Sequence, residues 1–538
     1  MISLESSFIR TAKRRWFSFC MADSTGKELT YGRALVGSLL LSRLIRRHCA
    51  EESVVGVMLP ASVAGALANI ALLIAGKIPV NLNFTAGREA LASAVRQCGI
   101  RKILTSRAFL AKAKIDPIEG TLFLEDMIRE TNSLRKAVTV LLAFLLPPRL
   151  LQSFYCNPKR EPDALAAIIF SSGTTTTPKG VMLSHHNILS NIEGLTQLFR
   201  LSRRDRMMAA LPFFHALGFT CNLWFPLLSG IGVAYHSNPK DAGAIGAMVL
   251  KYQATILISA PSFYALYTQG CSRREFASLR YAIAGGEKLR EPIAKGFREK
   301  FGRALLEGYG CTEMGPVVSV NVPGGGQCSG RGIGCKPGTV GRPLPGVVVE
   351  VVDPGSWKPV PCGKEGLLLV NGPSRMLGYV GVPQKSQKVI RDGWYVTGDI
   401  ASVDEDGFIR ITDRASRFSK IGGEMVPHIK VEETIRAILD EGDCVVTGVV
   451  DKHKGERLVA FYTADEISVA HLWERLCEAS LPKLWIPRRE DLYPIDALPT
   501  LATGKPDLTR LKSLALERQS HTQHEHIHRQ ADSARCAA

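Results

Sequence analysis

The feature that most limits the fold is an alternation of strand-like and helix-like runs over the first 410 or so residues. VVGVML at 54–59 reads as a short buried strand. ASVAGALANIALLIAG at 61–76 is long enough for a helix, and PVN at 79–81 begins another extended piece. The rhythm returns at RKILTS (101–106), ALAAIIF (164–170), ATILISA (254–260) and LRYAIAG (279–285). Strand–helix–strand repetition of this kind points to an α/β fold with layered, mostly parallel sheets. From 337 to 411 the pattern shifts to short β-branched runs, VVVEVVD (347–353) and GLLLV (366–370), between Gly and Pro turns. A small β subdomain is expected there. TDRASRFSKIGGE at 412–424 is charged and Gly-bearing, and it marks a second break. The expected division is a large domain at 1–412, a small α+β domain at 413–512 and a flexible tail at 513–538. The histidines of that tail, His521, His524, His526 and His528, are read as solvated rather than as a metal site.

Composition excludes several classes. With 46% hydrophobic and 22% charged residues, the chain is neither disordered nor collagen-like. The net charge of +17 favours an anionic partner. Aromatics at 7% give no prominent base-stacking platform, so nucleic acid is not expected as a partner. The 13 cysteines are odd in number and scattered without a CxxC pair, which fits a reducing, cytoplasmic setting. The first twenty residues hold no continuous apolar stretch, so no signal peptide is read. AVTVLLAFLL at 137–146 is about half the roughly 20 apolar residues a membrane span needs. A buried helix is the expectation there, and a helix lying in a membrane interface is the alternative.

Five blocks carry chemistry. SSGTTTTPKG at 171–180 follows a strand and precedes a probable helix, with Ser184 as its N-cap. Its glycines, hydroxyls and Lys179 suit phosphate oxygens, but its spacing is not that of a Walker A loop. AIAGGE at 282–287 ends a strand in two glycines, which permits close approach of a ligand to the backbone. EGYGCTE at 307–313 offers Tyr309 to stack on a flat base and Glu313 to hold a divalent cation. GWYVTGDI at 393–400 supplies Asp399, an acceptor for two ribose hydroxyls, with Arg414 a donor further on. LPTLATGKPD at 498–507 places Lys505 on a Gly-flanked loop.

In this order the blocks resemble the adenylate-forming superfamily: acyl-CoA synthetases, peptide-synthetase adenylation domains and beetle luciferases. The resemblance runs from LTYGRAL at residue 29 to residue 512. It implies an N-terminal adenylation domain and a mobile C-terminal one. It also implies a two-step reaction in which ATP and a carboxylate give an acyl-adenylate, which a thiol then attacks, releasing AMP. ATP and Mg2+ are the implied cofactors. Ser171, Ser172, Gly173, Thr174, Thr175, Thr176, Thr177 and Lys179 correspond to the loop around the β- and γ-phosphates. Tyr309 and Gly310 correspond to the adenine-stacking face, with Gly285, Gly286 and Glu287 on the other side of that pocket. Thr312 corresponds to a phosphate ligand and Glu313 to the magnesium ligand. Asp399 and Arg414 match the ribose and phosphate contacts. Lys505 matches the lysine of the adenylating step and Lys420 that of the thioester step. His215 matches the residue at the carboxylate end of the acyl pocket. The hinge position, Ser416, departs from the family's usual Asp or Lys, and the Gly-rich insert at 322–338 is longer than usual.

A narrower resemblance rests on LPFFHALGFT, LRYAIAGGEKL, FGRALLEGYGCTEMGPVVSVNVP and KPGTVGRPLPG. These resemble the synthetase half of the bacterial bifunctional 2-acylglycerophosphoethanolamine acyltransferase/acyl-ACP synthetase. The resemblance implies medium- to long-chain fatty acids as substrate and holo acyl carrier protein as acceptor. It also implies acyl supply for phospholipid synthesis, and a water-insoluble substrate makes peripheral contact with the inner face of the membrane an expectation. A fatty acyl-CoA synthetase, differing only in the thiol, is the alternative. The one HxxxxD match, His236 to Asp241, falls inside the adenylating domain and is read as chance, so a stand-alone synthetase is expected. Trp224 is read as core packing in preference to a gate on the acyl tunnel.

Overall fold

The computed structural model describes residues 3–156, 161, 163–171, 178–323, 334–414, 417–421, 424–439, 442–451, 455–463, 467–500, 506–508 and 510–518. Among them the chain divides into two compact units. The first runs to Thr397 and takes in Ser402–Arg410; the second comprises Gly398–Ala401 and the residues from Ile411 onward.

The first unit is α/β, as the rhythm predicts. One seven-stranded sheet runs in the order Gly378–Tyr379, Lys179–Ser184, Leu165–Ser171, Ile78–Asn81, Val54–Val57, Ile103–Thr105, Thr121–Phe123. Its strands are parallel except at the first two positions. A nine-stranded sheet has a parallel centre in which Tyr281–Ala284 lies between Ile256–Ser259 and Leu305–Gly310. Val348–Val352, Gly366–Asn371 and Trp394–Val403 build the expected β subdomain.

Local chemistry sets the element boundaries. The 61–76 run becomes helix Val63–Ile74 because the Ser62 hydroxyl accepts from the Gly65 amide and caps it. Buried Asn69 on that helix exchanges two hydrogen bonds, 2.8 and 3.0 Å, with Asn81 on the next strand. Paired amides satisfy each other in an interior where an unpaired one would be expensive. Two expectations need correction. Helix Ser133–Leu145 forms over the apolar run at 137–146, but only Thr139 and Ala143 are buried. The tail also begins later than residue 513, since residues 510–518 are helical and Ala515 is buried.

The second unit packs helices His428–Leu439 and Val469–Glu478 on a sheet of Glu424–Pro427, Phe418–Ile421, Gly455–Tyr462 and Cys444–Asp451. Buried His428 sits 2.9 Å from the Ser419 hydroxyl. Burial first, then the Arg417 and Lys512 cations, push its imidazole down to about 3. An unfolded histidine titrates near 6.5. The native state therefore refuses a proton that the unfolded chain accepts. The contribution is complete above about pH 6.5 and is lost as pH falls toward 3, by up to about 1.4 kcal/mol per pH unit. The urea midpoint is expected to drop between pH 7 and 5, and His428→Gln should flatten that slope. An equally steep slope in the variant would assign the acid sensitivity elsewhere.

Candidate functional site

The first unit gathers most of the candidate residues at the carboxyl ends of parallel strands, where α/β sheets place ligands. Strands Tyr281–Ala284 and Leu305–Gly310 are register neighbours, with Ala284 opposite Glu307. Gly285 and Gly286 leave the first strand, and Tyr309 and Gly310 end the second. All four line one cavity of about 80 Å³. Gly286 has φ +84°, a conformation open to glycine at little cost. The rest of the lining is apolar and includes Leu195, Leu217, Cys221, Ile258 and Ile283.

Leu217 and Cys221 come from a π-helix, Leu217–Trp224, that follows directly on His215. The half-buried His215 accepts at its carbonyl from the Phe219 amide, and its ring lies 4.7 Å from that of Phe214. Trp224, in the same π-helix, is fully buried and packs edge-on against Phe219, which supports its core reading.

Glu313 and Lys179 meet through a residue that sequence reasoning missed. The Tyr379 hydroxyl donates to Glu313 Oε1 at 2.8 Å. Lys179 Nζ lies 5.3 Å from the centroid of the same ring. Burial, followed by the neighbouring Glu313 carboxylate, raises the Tyr379 phenol far above its usual range, so it stays a donor. Tyr379 stands 66 residues from Glu313 in a Gly-Tyr pair that matches no motif. Its one local signal is an aromatic at a strand end.

The loop carrying Thr312 and Glu313 is also tethered by Asn191 and Thr220. Asn191 Nδ2 donates to Val317 O at 2.7 Å, and Val317 N donates back to Asn191 Oδ1. The Thr220 hydroxyl donates to Gly315 O. Thr312 opens a single 3-10 turn ending at Met314. Among the described residues no three His, Cys, Asp or Glu side chains converge as a metal cage. A single buried carboxylate still fits magnesium, which keeps waters and shares phosphate oxygens.

Three expectations are refined. Ser171 is paired with Lys179 across antiparallel strands, so the 171–180 block is a hairpin leading into strand Lys179–Ser184. As expected, the helix starts at His185, and Ser184 caps it reciprocally with Asn187. Ser172, Gly173, Thr174, Thr175, Thr176 and Thr177 lie outside the described residues. Glu287 Oε2 accepts from the Ser262 amide at 3.2 Å, which ties it to the start of helix Pro261–Gly270. Asp241 caps helix Ala242–Tyr252 through the Ala244 amide, which gives the discarded His236–Asp241 pattern a structural reason.

In the second unit, Arg414 Nε lies 3.3 Å from Asp399 Oδ1. Asp399 is buried and Arg414 exposed, so the guanidinium keeps free edges toward solvent. Lys420 pairs in register with Met425; its side chain lies outside the described residues. So do Ser416 and Lys505. The stretch containing Lys505 is closed at its base by the Thr500–Pro506 bridge and by Asp507 N donating to Pro499 O at 2.8 Å.

A family model described as AMP-binding enzyme matches residues 8–380. The long-chain-fatty-acid–CoA ligase of Escherichia coli O6:H1 is 30% identical over 360 residues, 65% of this chain. That alignment spans 62% of the relative, less than two thirds of its length. The long-chain-fatty-acid–CoA ligase of Bacillus subtilis is 27% identical over 535 residues, covering 92% of this chain and 91% of the relative. Among solved structures, o-succinylbenzoate CoA synthetase of Bacillus subtilis, captured with its acyl-adenylate, superposes with a TM-score of 0.79. It is 21% identical, with 94% of this chain and 98% of that one covered, which is a likeness of fold.

Proposed function

Because the chain belongs to the AMP-binding enzyme family, we propose that it is an AMP-forming acid–thiol ligase that activates fatty acids with ATP and Mg2+ and transfers the acyl group to coenzyme A. The observation that carries this reading is the cavity at the strand ends, lined by Gly285, Gly286, Tyr309 and Gly310 together with apolar side chains. Such a lining suits a flat base, which the glycines let approach the backbone and the aromatic ring can stack on. The fatty-acid assignment is supported by the two bacterial ligases named above, whose own names specify long-chain acids and CoA.

In this reading Tyr309 stacks on adenine, and Gly285 and Gly286 let it approach the backbone. Lys179 and the hairpin loop neutralise the β- and γ-phosphates, while Asp399 and Arg414 hold the ribose. Glu313 would hold magnesium, which draws charge off the phosphates when bound. Thr312 contacts phosphate, and His215 sits at the carboxylate end of the acyl pocket. Lys505 stabilises the charge shared as carboxylate and α-phosphate meet, and Lys420 serves the thioester step. Tyr379 is a positioning residue, fixing the Glu313 carboxylate. Tyr379→Phe is expected to raise the magnesium requirement about 10–100-fold while the KM for fatty acid moves little. A magnesium titration of pyrophosphate exchange reads both, and an unchanged titration would remove Tyr379 from this role.

A second reading is favoured by charge. An acidic holo acyl carrier protein would be steered toward a chain of net charge +17. It would make the protein an acyl-ACP synthetase supplying phospholipid synthesis. Thioester formation with CoA and carrier protein offered in parallel separates the two. We place the protein in the cytoplasm with peripheral contact to an anionic membrane surface, because its substrate partitions there. No helix among the described residues is long and apolar enough to cross a membrane.

A further inference from the structure

Nine of the sixteen exposed large apolar side chains among the described residues fall within 128–154. They are concentrated on helices Ser133–Leu145 and Pro148–Tyr155. On the first, Leu134, Val138, Leu141 and Leu145 follow a 4-3-4 spacing, which draws one stripe down one face. Leu134 is 72% exposed, Leu141 56% and Leu145 64%, while the opposite face buries Thr139 and Ala143. This is an amphipathic helix with its apolar side outward. Phe154 (69% exposed) and Phe17 (82% exposed) extend the patch. Soluble chains rarely leave that much contiguous apolar surface unused.

The patch is firmly mounted. Lys13 Nζ donates to the carbonyls of Ala143 and Phe144 at 2.8 and 2.7 Å, capping the last turn of the striped helix. Trp16, next to Phe17, packs edge-on against Phe144 at 5.3 Å. Gln152 Nε2 donates to Ser6 O at 3.0 Å, tying the second helix to the N-terminal one.

Charge around the patch has one sign. No Asp or Glu occurs between Glu130 and Glu161, where five Lys or Arg do. None occurs between Glu5 and Asp23, a stretch carrying Arg10, Lys13, Arg14 and Arg15. Glu5 itself is buried beside His185. Glu130 is bridged by Arg47 and His48, and Asp126 by Arg107. Arg14 and Arg15 also line, with Arg203, a cavity of about 200 Å³ that no carboxylate borders.

We propose that this face, the Ser133–Leu145 and Pro148–Tyr155 helices with the end of Leu4–Arg14, seats the protein on an anionic lipid bilayer. The inference rests on the peripheral contact proposed above and assigns it a surface. The striped helix is about 20 Å long, short of the roughly 30 Å hydrocarbon core, so it lies in the interface plane. Leucines and phenylalanines enter the acyl boundary, and the arginines and lysines meet headgroup phosphates. An acidic protein would answer the charges but leave the leucine stripe in water.

The test is co-sedimentation of the full chain with vesicles of phosphatidylcholine alone or of three parts phosphatidylcholine to one part phosphatidylglycerol. Wild type is expected on the anionic vesicles. Leu141→Asp with Leu145→Asp should weaken partitioning about a hundredfold. Arg135→Ser with Lys136→Ser should weaken it roughly tenfold, on anionic vesicles only. Adenylation of octanoate, a water-soluble acid, should be unchanged in both variants, which shows that they fold. Wild type that ignores both vesicle types would overturn the membrane contact itself. Wild type and both variants binding alike would overturn this surface alone. A lipid-free dimer that the aspartates dissociate, with vesicle binding intact, would assign the stripe to a second copy of the chain and overturn the proposal. None of these three results bears on whether the protein makes thioesters.

Discussion

Lys505→Ala is expected to slow acyl-adenylate formation by about 10²–10³-fold, the range found when a charge-stabilising donor is removed from a reacting centre. The first step brings a carboxylate against a triphosphate. A cation at the point of attack stabilises the charge that is shared only in the transition state. Thr500 and Pro506, on either side of residues 501–505, form a bridge with each other. ATP–pyrophosphate exchange reads this step alone. ATP binding should largely survive, and so should thioester formation from a synthetic acyl-adenylate. Exchange at the wild-type rate would remove Lys505 from the chemistry. Loss of ATP binding would make it a nucleotide ligand instead.

Glu313→Gln carries the second large effect. The Tyr379 hydroxyl can still donate to the amide oxygen, so the buried contact at 2.8 Å has a substitute and the fold should hold. What disappears is the negative charge proposed to hold the cation. Metal-borne stabilisation of developing charge amounts to several kcal/mol, so kcat/KM is expected to fall about 10²–10³-fold. The magnesium optimum should move upward together with that fall. A variant with unchanged magnesium dependence would place the metal on other groups.

The fold was largely readable because its signals are local. Ser62 and Ser184 cap helices where hydroxyls precede apolar runs. The parallel strands are short and rich in β-branched and aliphatic residues because helices cover them. One error has a clear cause: the 137–146 helix was expected to be buried, and only Thr139 and Ala143 of it are. Periodicity shows that a run is apolar but not what lies against it. KGVMLS could serve as strand or first turn, and pairing with Leu165–Ser171 decides it.

The candidate site divides in the same way. Tyr309, Gly285, Gly286, Glu313, Asp399 and Arg414 stood out because each sits in a compact motif. Tyr379 and Asn191 did not, since their work is done across long separations. Asn191 reaches Val317, 126 residues away, and its sequence neighbours say nothing of that. Residues that position a motif are found by contact, whereas residues that form one are found by spacing.

The proposed reaction joins a fatty acid to a thiol through an adenylate, with coenzyme A as the thiol. The most direct measurement supplies ATP, magnesium and a radiolabelled long-chain fatty acid, with CoA, holo carrier protein and apo carrier protein as parallel acceptors. Labelled thioester on CoA, release of AMP and no product on apo carrier protein are expected. Product on holo carrier protein alone would contradict the acceptor assignment, and no thioester or AMP with any acceptor would contradict the account as a whole.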